Sequence, residues 1–173
     1  MARNVEIKAR VDSIAALEPL AAALSGQEPA SLEQDDTFFT CTHGRLKLRA
    51  FADGTGELIF YRRADDIGPK ESFYSISPTD SPDTLRETLT LAYGAIGRVK
   101  KHRVVFMAGR TRIHLDQVEG LGEFLELEVV LRDGESTDAG MAEARTLMAG
   151  LGVAPTQLVA GAYLDLLAGS RRP

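Results

Sequence analysis

Phe124-Leu125-Glu126-Leu127-Glu128-Val129-Val130-Leu131 alternates apolar and charged side chains with a period close to two. Successive residues of a β-strand point to opposite faces, so Leu125, Leu127, Val129 and Leu131 share one face and Glu126 and Glu128 the other. The same parity organises the amino-terminal stretch, where Val5, Ile7, Ala9 and Val11 oppose Asn4, Glu6, Lys8 and Arg10. Leu46 and Leu48 oppose Arg45, Lys47 and Arg49, and Ile113 and Leu115 oppose Arg110, Arg112, His114 and Asp116. Arg62 and the pair Lys101 and Arg103 add further strand cations.

Two arrangements account for such strands. In the first, a half-exposed antiparallel sheet turns its polar face to water. In the second, the sheet curls so that its charged face points inward and helices cover its apolar face. The charge distribution favours the second. Several strands carry two or three like charges on one face, which is unfavourable without counter-charges. An interior of this kind is a wet tunnel. Its cations need a polyanion, gripped by charge-assisted bonds each worth about 1.5–3 kcal/mol. Its carboxylates suit a hard divalent cation, Mg²⁺ or Mn²⁺, held together with substrate phosphates. A compact triphosphate meets these demands, whereas duplex nucleic acid does not fit inside one barrel.

Strands are expected over residues 4–11, 36–42, 45–51, 57–63, 72–76, 101–107, 111–118 and 124–132, and helices over 13–24, 81–93, 138–151 and 156–167. Ser13 and Ser81 stand at helix starts, with Pro82 in a first turn, and Asp53-Gly54-Thr55-Gly56 reads as a hairpin turn. The fold class is therefore α+β: an eight-stranded antiparallel barrel with helices packed outside, in one domain spanning 1–173. The chain has 173 residues with 44% hydrophobic and 26% charged, enough for a core and against a disordered chain. A net charge of −5 argues against a uniformly basic nucleic-acid surface, and the single cysteine, Cys41, excludes an internal disulfide. No apolar run approaches a membrane span and the first residues lack a signal-peptide core, so a cytoplasmic protein without a membrane partner is expected.

The order of several short stretches resembles the CYTH superfamily of class IV adenylyl cyclases, thiamine triphosphatases and inorganic triphosphatases. An E-x-E-x-K motif reads here Asn4-Val5-Glu6-Ile7-Lys8, with Asn in place of the first Glu. Further matching pieces are Gln34-Asp35-Asp36-Thr37-Phe38-Phe39, Arg45-Leu46-Lys47-Leu48-Arg49, Leu58-Ile59-Phe60-Tyr61-Arg62-Arg63, Lys101-His102-Arg103 and Arg112-Ile113-His114-Leu115-Asp116. The run Glu119-Gly120-Leu121-Gly122-Glu123-Phe124-Leu125-Glu126-Leu127-Glu128-Val129 is most like the class IV cyclase-like branch.

The resemblance implies a triphosphate tunnel with metal carboxylates at Glu6, Glu126 and Glu128 and a catalytic set of Glu6, Lys8, Asp116 and Glu126. It places substrate-binding cations at Lys8, Lys47, Arg49, Arg62, Lys101, Arg103 and Arg112. Asn4 is a departure, because a neutral amide oxygen binds Mg²⁺ less well than a carboxylate. The reaction implied is ATP to cyclic AMP and pyrophosphate. Hydrolysis of an inorganic or organic triphosphate is the alternative, and a non-catalytic nucleotide- or polyphosphate-binding module is a third reading. The partner is a small triphosphate such as ATP or tripolyphosphate, and a homodimer is left open. His114 shares the charged face by parity and is read as a polar packing residue, Tyr163 as core packing of the last helix, and Lys70 as either a solvated turn or a loop reaching a base.

Overall fold

The computed structural model describes residues 2–63 and 67–170. Its strands are β1 (Ala2–Arg10), β2 (Ala30–Phe39), β3 (Arg45–Phe51), β4 (Gly56–Arg63), β5 (Lys70–Thr79), β6 (Ala95–Ala108), β7 (Thr111–Val118) and β8 (Gly122–Val130). Every pairing is antiparallel, and the order β1-β5-β4-β3-β2-β6-β7-β8 closes into a barrel. Among the described residues, closure leaves every strand with a neighbour on both sides. The helices are α1 (Ile14–Leu24), α2 (Pro82–Tyr93), α3 (Thr137–Gly150) and α4 (Tyr163–Ser170), with a 3-10 turn at Pro155–Gln157. Among the described residues, no helix is long and apolar enough to cross a membrane.

Local chemistry sets the ends of these elements. The Ser13 hydroxyl accepts from Ala16 N at 3.2 Å to cap α1, and Ser136 Oγ accepts from Asp138 N at 3.1 Å to cap α3. In the β3–β4 hairpin, Thr55 N donates to Asp53 Oδ1 at 2.9 Å and Gly54 takes φ +85°, where a side chain would be strained.

The main apolar core lies outside the barrel wall. Val5, Ile7, Leu125, Leu127 and Val129 pack with Ala144, Leu151 and Val153 from α3 and the segment after it. Each such large aliphatic side chain contributes roughly 1.5–3 kcal/mol when fully buried. Gly140 lets α3 approach closely, because a Cβ there would lie 2.8 Å from Leu131 Cδ2 and 2.9 Å from Val5 Cγ2. On the other side α2 covers Phe39 and Leu48 with Leu89.

The expected strands 36–42 and 101–107 begin later than the observed ones. Residues 30–35 and 95–100 alternate weakly, yet they extend β2 and β6 by pairing from Ala30 opposite Val105 to Phe39 opposite Ala95. The expected helix over 156–167 is corrected more strongly. After the 3-10 turn, Leu158 bridges Ala9, and Val159 N donates to Lys8 O at 3.0 Å. Gly161 then turns the chain at φ +81° before α4 begins. The backbone at the end of β1 recruits this segment and draws it across one end of the barrel. There Tyr163 meets Phe124 edge-on, with ring centroids 5.0 Å apart.

Candidate functional site

Alternation along eight strands leaves a cavity of about 440 Å³ inside the barrel, within the range of small-molecule sites. Seven Lys and Arg side chains outnumber five carboxylates on its wall, while the chain as a whole carries −5. The protein therefore concentrates positive charge inside. Tyr163 and Ala162 sit at one end of the lining. At the other end, where β2 and β4 begin and β3, β5 and β6 finish, Ala30, Phe51, Ile76 and Val105 give an apolar rim. Ile76 remains 46% exposed there.

Three ionic groups organise the wall. Asp36, 1% exposed, receives Lys47 at 2.9 Å, Arg49 at 2.8 Å and Lys101 at 3.1 Å. Burial alone would raise its pKa, but Arg49, Lys101 and Lys47 hold it well below the ordinary carboxylate range. Burial pulls Lys101 down to about 7 despite Asp36, with Arg49 and Arg103 adding to the fall.

The second group centres on Arg103, which donates to both oxygens of Asp116 at 2.6 Å and to Glu126 Oε2 at 2.8 Å. Tyr163 Oη donates to Asp116 Oδ2 at 2.7 Å. In the third, Arg63 donates to Glu6 Oε2 at 2.8 Å and to Gly161 O at 2.9 Å. Lys8 Nζ also donates to Gly161 O, at 3.2 Å, and lies 4.0 Å from both Glu126 Oε1 and the Tyr163 ring centroid. Burial brings Lys8 down to about 8 against the pull of Glu126.

Of the residues expected from sequence, Glu6, Lys8, Lys47, Arg49, Lys101, Arg103, Arg112, Glu126 and Glu128 all line this one cavity. Arg62 does not. It is exposed outside the barrel, and its neighbour Arg63 occupies the inward position. The parity of Glu57, Ile59, Tyr61 and Arg63 against Leu58 and Phe60 carries that distinction. Asp116 is also revised: it is 0% exposed, behind Arg103 and Tyr163, where it positions the guanidinium instead of facing the cavity. Lys70 opens β5, opposite Glu6, and is buried, so neither a solvated turn nor an open loop describes it. The sequence reading missed the roles of Asp36, Arg63 and Tyr163. Asp36 shares strand parity with Phe38, but the mixed Phe38-Phe39 pair masks which face is inner.

All three of the carboxylates expected to hold metal accept from an arginine: Glu6 from Arg63 at 2.8 Å, Glu126 from Arg103 at 2.8 Å and Glu128 from Arg112 at 2.9 Å. Glu6 is engaged by Arg63, and its pKa is raised because burial and the nearby Glu126 and Glu128 outweigh Arg63 and Lys8. Glu126 and Glu128 also gather with His114, their ligand atoms all within 4.8 Å of one another. Burial pushes the His114 imidazole down to about 4, helped by Arg103, so it is neutral near pH 7. Its Nδ1 has no hydrogen-bond partner among the described residues, and the same holds for Asn4 Oδ1. An unpartnered imidazole nitrogen beside two carboxylates fits a divalent cation. This candidate group shares Glu126 and Glu128 with the expected set and adds His114.

A larger concavity of about 750 Å³ lies outside the barrel, between α2 and the β7–β8 turn. Much of its charge is paired, Arg98 with Asp35, His102 with Glu33 and Arg86 with Asp83, so it offers an anion far less than the interior does.

A closed antiparallel barrel with an ionic interior and a candidate metal cluster defines a triphosphate-tunnel protein. The CYTH domain model matches residues 2–163, and the chain belongs to the CYTH family. Adenylate cyclase CyaB of Aeromonas hydrophila is 25% identical over 172 residues, covering 94% of this chain and 87% of that protein. The PH1012 protein of Pyrococcus horikoshii superposes with a TM-score of 0.84 at 21% identity, covering 95% of this chain and 99% of that one. HpAC1 of Hippeastrum, for which a dominant triphosphatase activity is described, superposes with a TM-score of 0.67 at 16% identity, covering 98% and 97%.

Proposed function

We propose that the protein is a class IV adenylyl cyclase-like enzyme that converts ATP into cyclic AMP and pyrophosphate. The observation that carries the reading is the excess of inward cations around a cavity that also holds the His114, Glu126 and Glu128 cluster. The apolar rim of Ala30, Phe51, Ile76 and Val105 supports an organic triphosphate, since a base ring can rest there while the phosphates lie deeper. The likeness to the Aeromonas cyclase points the same way.

In this reading the 3′-oxygen of the ribose attacks the α-phosphorus as the bridging oxygen to the β-phosphorus departs. Arg49, Lys47 and Lys101 hold the leaving pyrophosphate, and Arg103, fixed by Asp116, offsets charge developing on the phosphate oxygens. Lys8, which burial brings down to about 8, accepts the 3′-hydroxyl proton in the fraction that is neutral, and because bound phosphate raises that value the turnover is favoured at alkaline pH. Glu126, Glu128 and His114 would hold Mg²⁺ or Mn²⁺, which supplies Lewis-acid stabilisation of the phosphate charge when bound.

Triphosphate hydrolysis is the second reading, favoured by the activity described for HpAC1, which shares the fold. The same wall serves both, and they differ in whether the α- or the terminal phosphorus meets the nucleophile. Incubating the protein with ATP, and separately with tripolyphosphate, in Mg²⁺ or Mn²⁺ decides between them. Cyclic AMP with equimolar pyrophosphate supports the cyclase. Orthophosphate without cyclic AMP supports the hydrolase. Tight binding without turnover contradicts both and leaves a binding module.

A further inference from the structure

One buried acceptor of the cavity wall stands apart from the ionic groups. Gln34 is 5% exposed, yet its Oε1 meets no donor among the described residues. An unpaired buried polar atom costs about 1–3 kcal/mol, and native proteins leave few without a reason. Its strand neighbours do not relieve it. In register Gln34 pairs with Lys101 on β6 and Phe51 on β3. The Lys101 ammonium turns to Asp36 at 3.1 Å, and the Phe51 ring carries no donor.

The residue stands where the character of the wall changes. Alternate residues of β2 line the interior as Ala30, Leu32, Gln34, Asp36 and Phe38. Towards the rim from Gln34 the wall is apolar, with Ala30 and Leu32 joined by Phe51 and Ile76. Deeper in, Asp36 gathers Lys47, Arg49 and Lys101. Successive inner positions of a strand lie roughly 6–7 Å apart. A ligand with its phosphates on these cations and a flat ring on the apolar rim therefore lays the group that joins them against Gln34. That group must offer a hydrogen bond to Oε1. An ionised phosphate cannot, because it is itself an acceptor. A sugar hydroxyl can, and since it both donates and accepts it suits either atom of the amide.

We propose that Gln34 is a specificity-determining residue: its side-chain amide accepts a hydrogen bond from a ribose hydroxyl, so that the cavity prefers a ribonucleoside triphosphate to its deoxy forms. Inorganic tripolyphosphate has no hydroxyl to offer and gains nothing from this residue. A nucleotide that lacks the hydroxyl leaves the amide buried and unpaired in the complex, the situation in which a site rejects an analogue most strongly.

The inference rests on the proposed nucleotide substrate and deepens it, and its test reads binding instead of turnover. A non-hydrolysable ATP analogue, its 2′-deoxy and 3′-deoxy forms, and tripolyphosphate are each titrated calorimetrically into the protein. The ribonucleotide should bind at least about 10-fold more tightly than one of the two deoxy forms. Gln34→Leu should abolish that difference by weakening the ribonucleotide about 10-fold, and should leave tripolyphosphate affinity within about 2-fold. Without ligand the variant should melt no lower than the unaltered protein, because the replaced acceptor has no partner to lose. Equal affinity for the three nucleotides, or no nucleotide binding, would overturn the proposal whether or not the variant folds. Discrimination that survives Gln34→Leu would overturn it too, and so would an equal loss for tripolyphosphate, the mark of a residue that only shapes the wall. Cyclic AMP made from ATP without ribose discrimination would sink this inference and leave the enzyme reading standing. Discrimination that depends on Gln34, with orthophosphate and no cyclic AMP from ATP, would keep the inference and end the cyclase reading.

Discussion

Arg49 holds Asp36 through two hydrogen bonds of 2.8 Å, and the same carboxylate also receives Lys47 and Lys101. One buried anion thus keeps three cations together in the protein without ligand. Removing it leaves those cations facing each other in a poorly solvated cavity, and breaking a buried pair in this way costs about 3–5 kcal/mol. Asp36→Asn should therefore melt well below the unaltered protein. Tripolyphosphate should stabilise the variant by a larger thermal shift than it gives the unaltered protein, because the polyanion supplies the missing charge. Scanning calorimetry with and without ligand checks both, and an equal or smaller shift in the variant would remove Asp36 from the phosphate wall.

Adjacent arginines on β4 separate interior from exterior. Arg63 reaches Glu6 and Gly161 inside, and Arg62 lies exposed outside. Arg62→Ala should leave tripolyphosphate affinity within about 2-fold, since exposed substitutions usually change energies by less than ~0.5 kcal/mol. Arg63→Ala should weaken affinity by at least about 10-fold, the loss of roughly one charge-assisted bond. Calorimetric titration of both variants reads this directly, and the opposite ranking would reverse the assignment.

Lys101 and Lys8, pulled by burial to about 7 and about 8, lose protons within the working pH range. A bound polyanion favours the charged ammonium, so it raises both values. At pH 8 the site without ligand holds fewer protons than the occupied one. Binding must take up protons, and affinity must fall as pH rises from 7 to 9. Titrating a non-hydrolysable ATP analogue in two buffers of different ionisation enthalpy measures the uptake. Zero uptake at pH 8 would place both lysines away from the phosphates.

Gly140 tests the packing that holds the wall in place. A methyl group there would meet Leu131 and Val5 inside ordinary contact distance. Gly140→Ala should cost about 1–3 kcal/mol through overpacking of α3 on β1 and β8. Urea denaturation checks this, and an unchanged midpoint would mean that the helix shifts without cost.

Much of the barrel is legible in the sequence because its interior is charged. Glu6 and Lys8, Lys47 and Arg49, and Glu126 and Glu128 alternate with aliphatic residues, so strand parity alone sorts inside from outside. Parity becomes ambiguous where both neighbours are alike, which is why Arg62 stood in for Arg63 and why Asp36 beside Phe38-Phe39 carried no clear role. The early part of β2 depends on its long pairing with β6, a non-local interaction that residues 30–35 do not announce. The segment before α4 looks helical by composition, but the end of β1 captures it through Leu158 and Val159. His114 was visible on the inner face, yet only the three-dimensional structure shows that its Nδ1 has no partner among the described residues beside Glu126 and Glu128.

A crystal structure of the protein with Mn²⁺ and a non-hydrolysable ATP analogue tests the triphosphate tunnel most directly. The account predicts the phosphates inside the barrel, with oxygens about 3 Å from the nitrogens of Arg49, Lys101 and Arg103. An analogue bound at saturating concentration in the outer concavity between α2 and the β7–β8 turn, with the interior left to its own ion pairs, would contradict it.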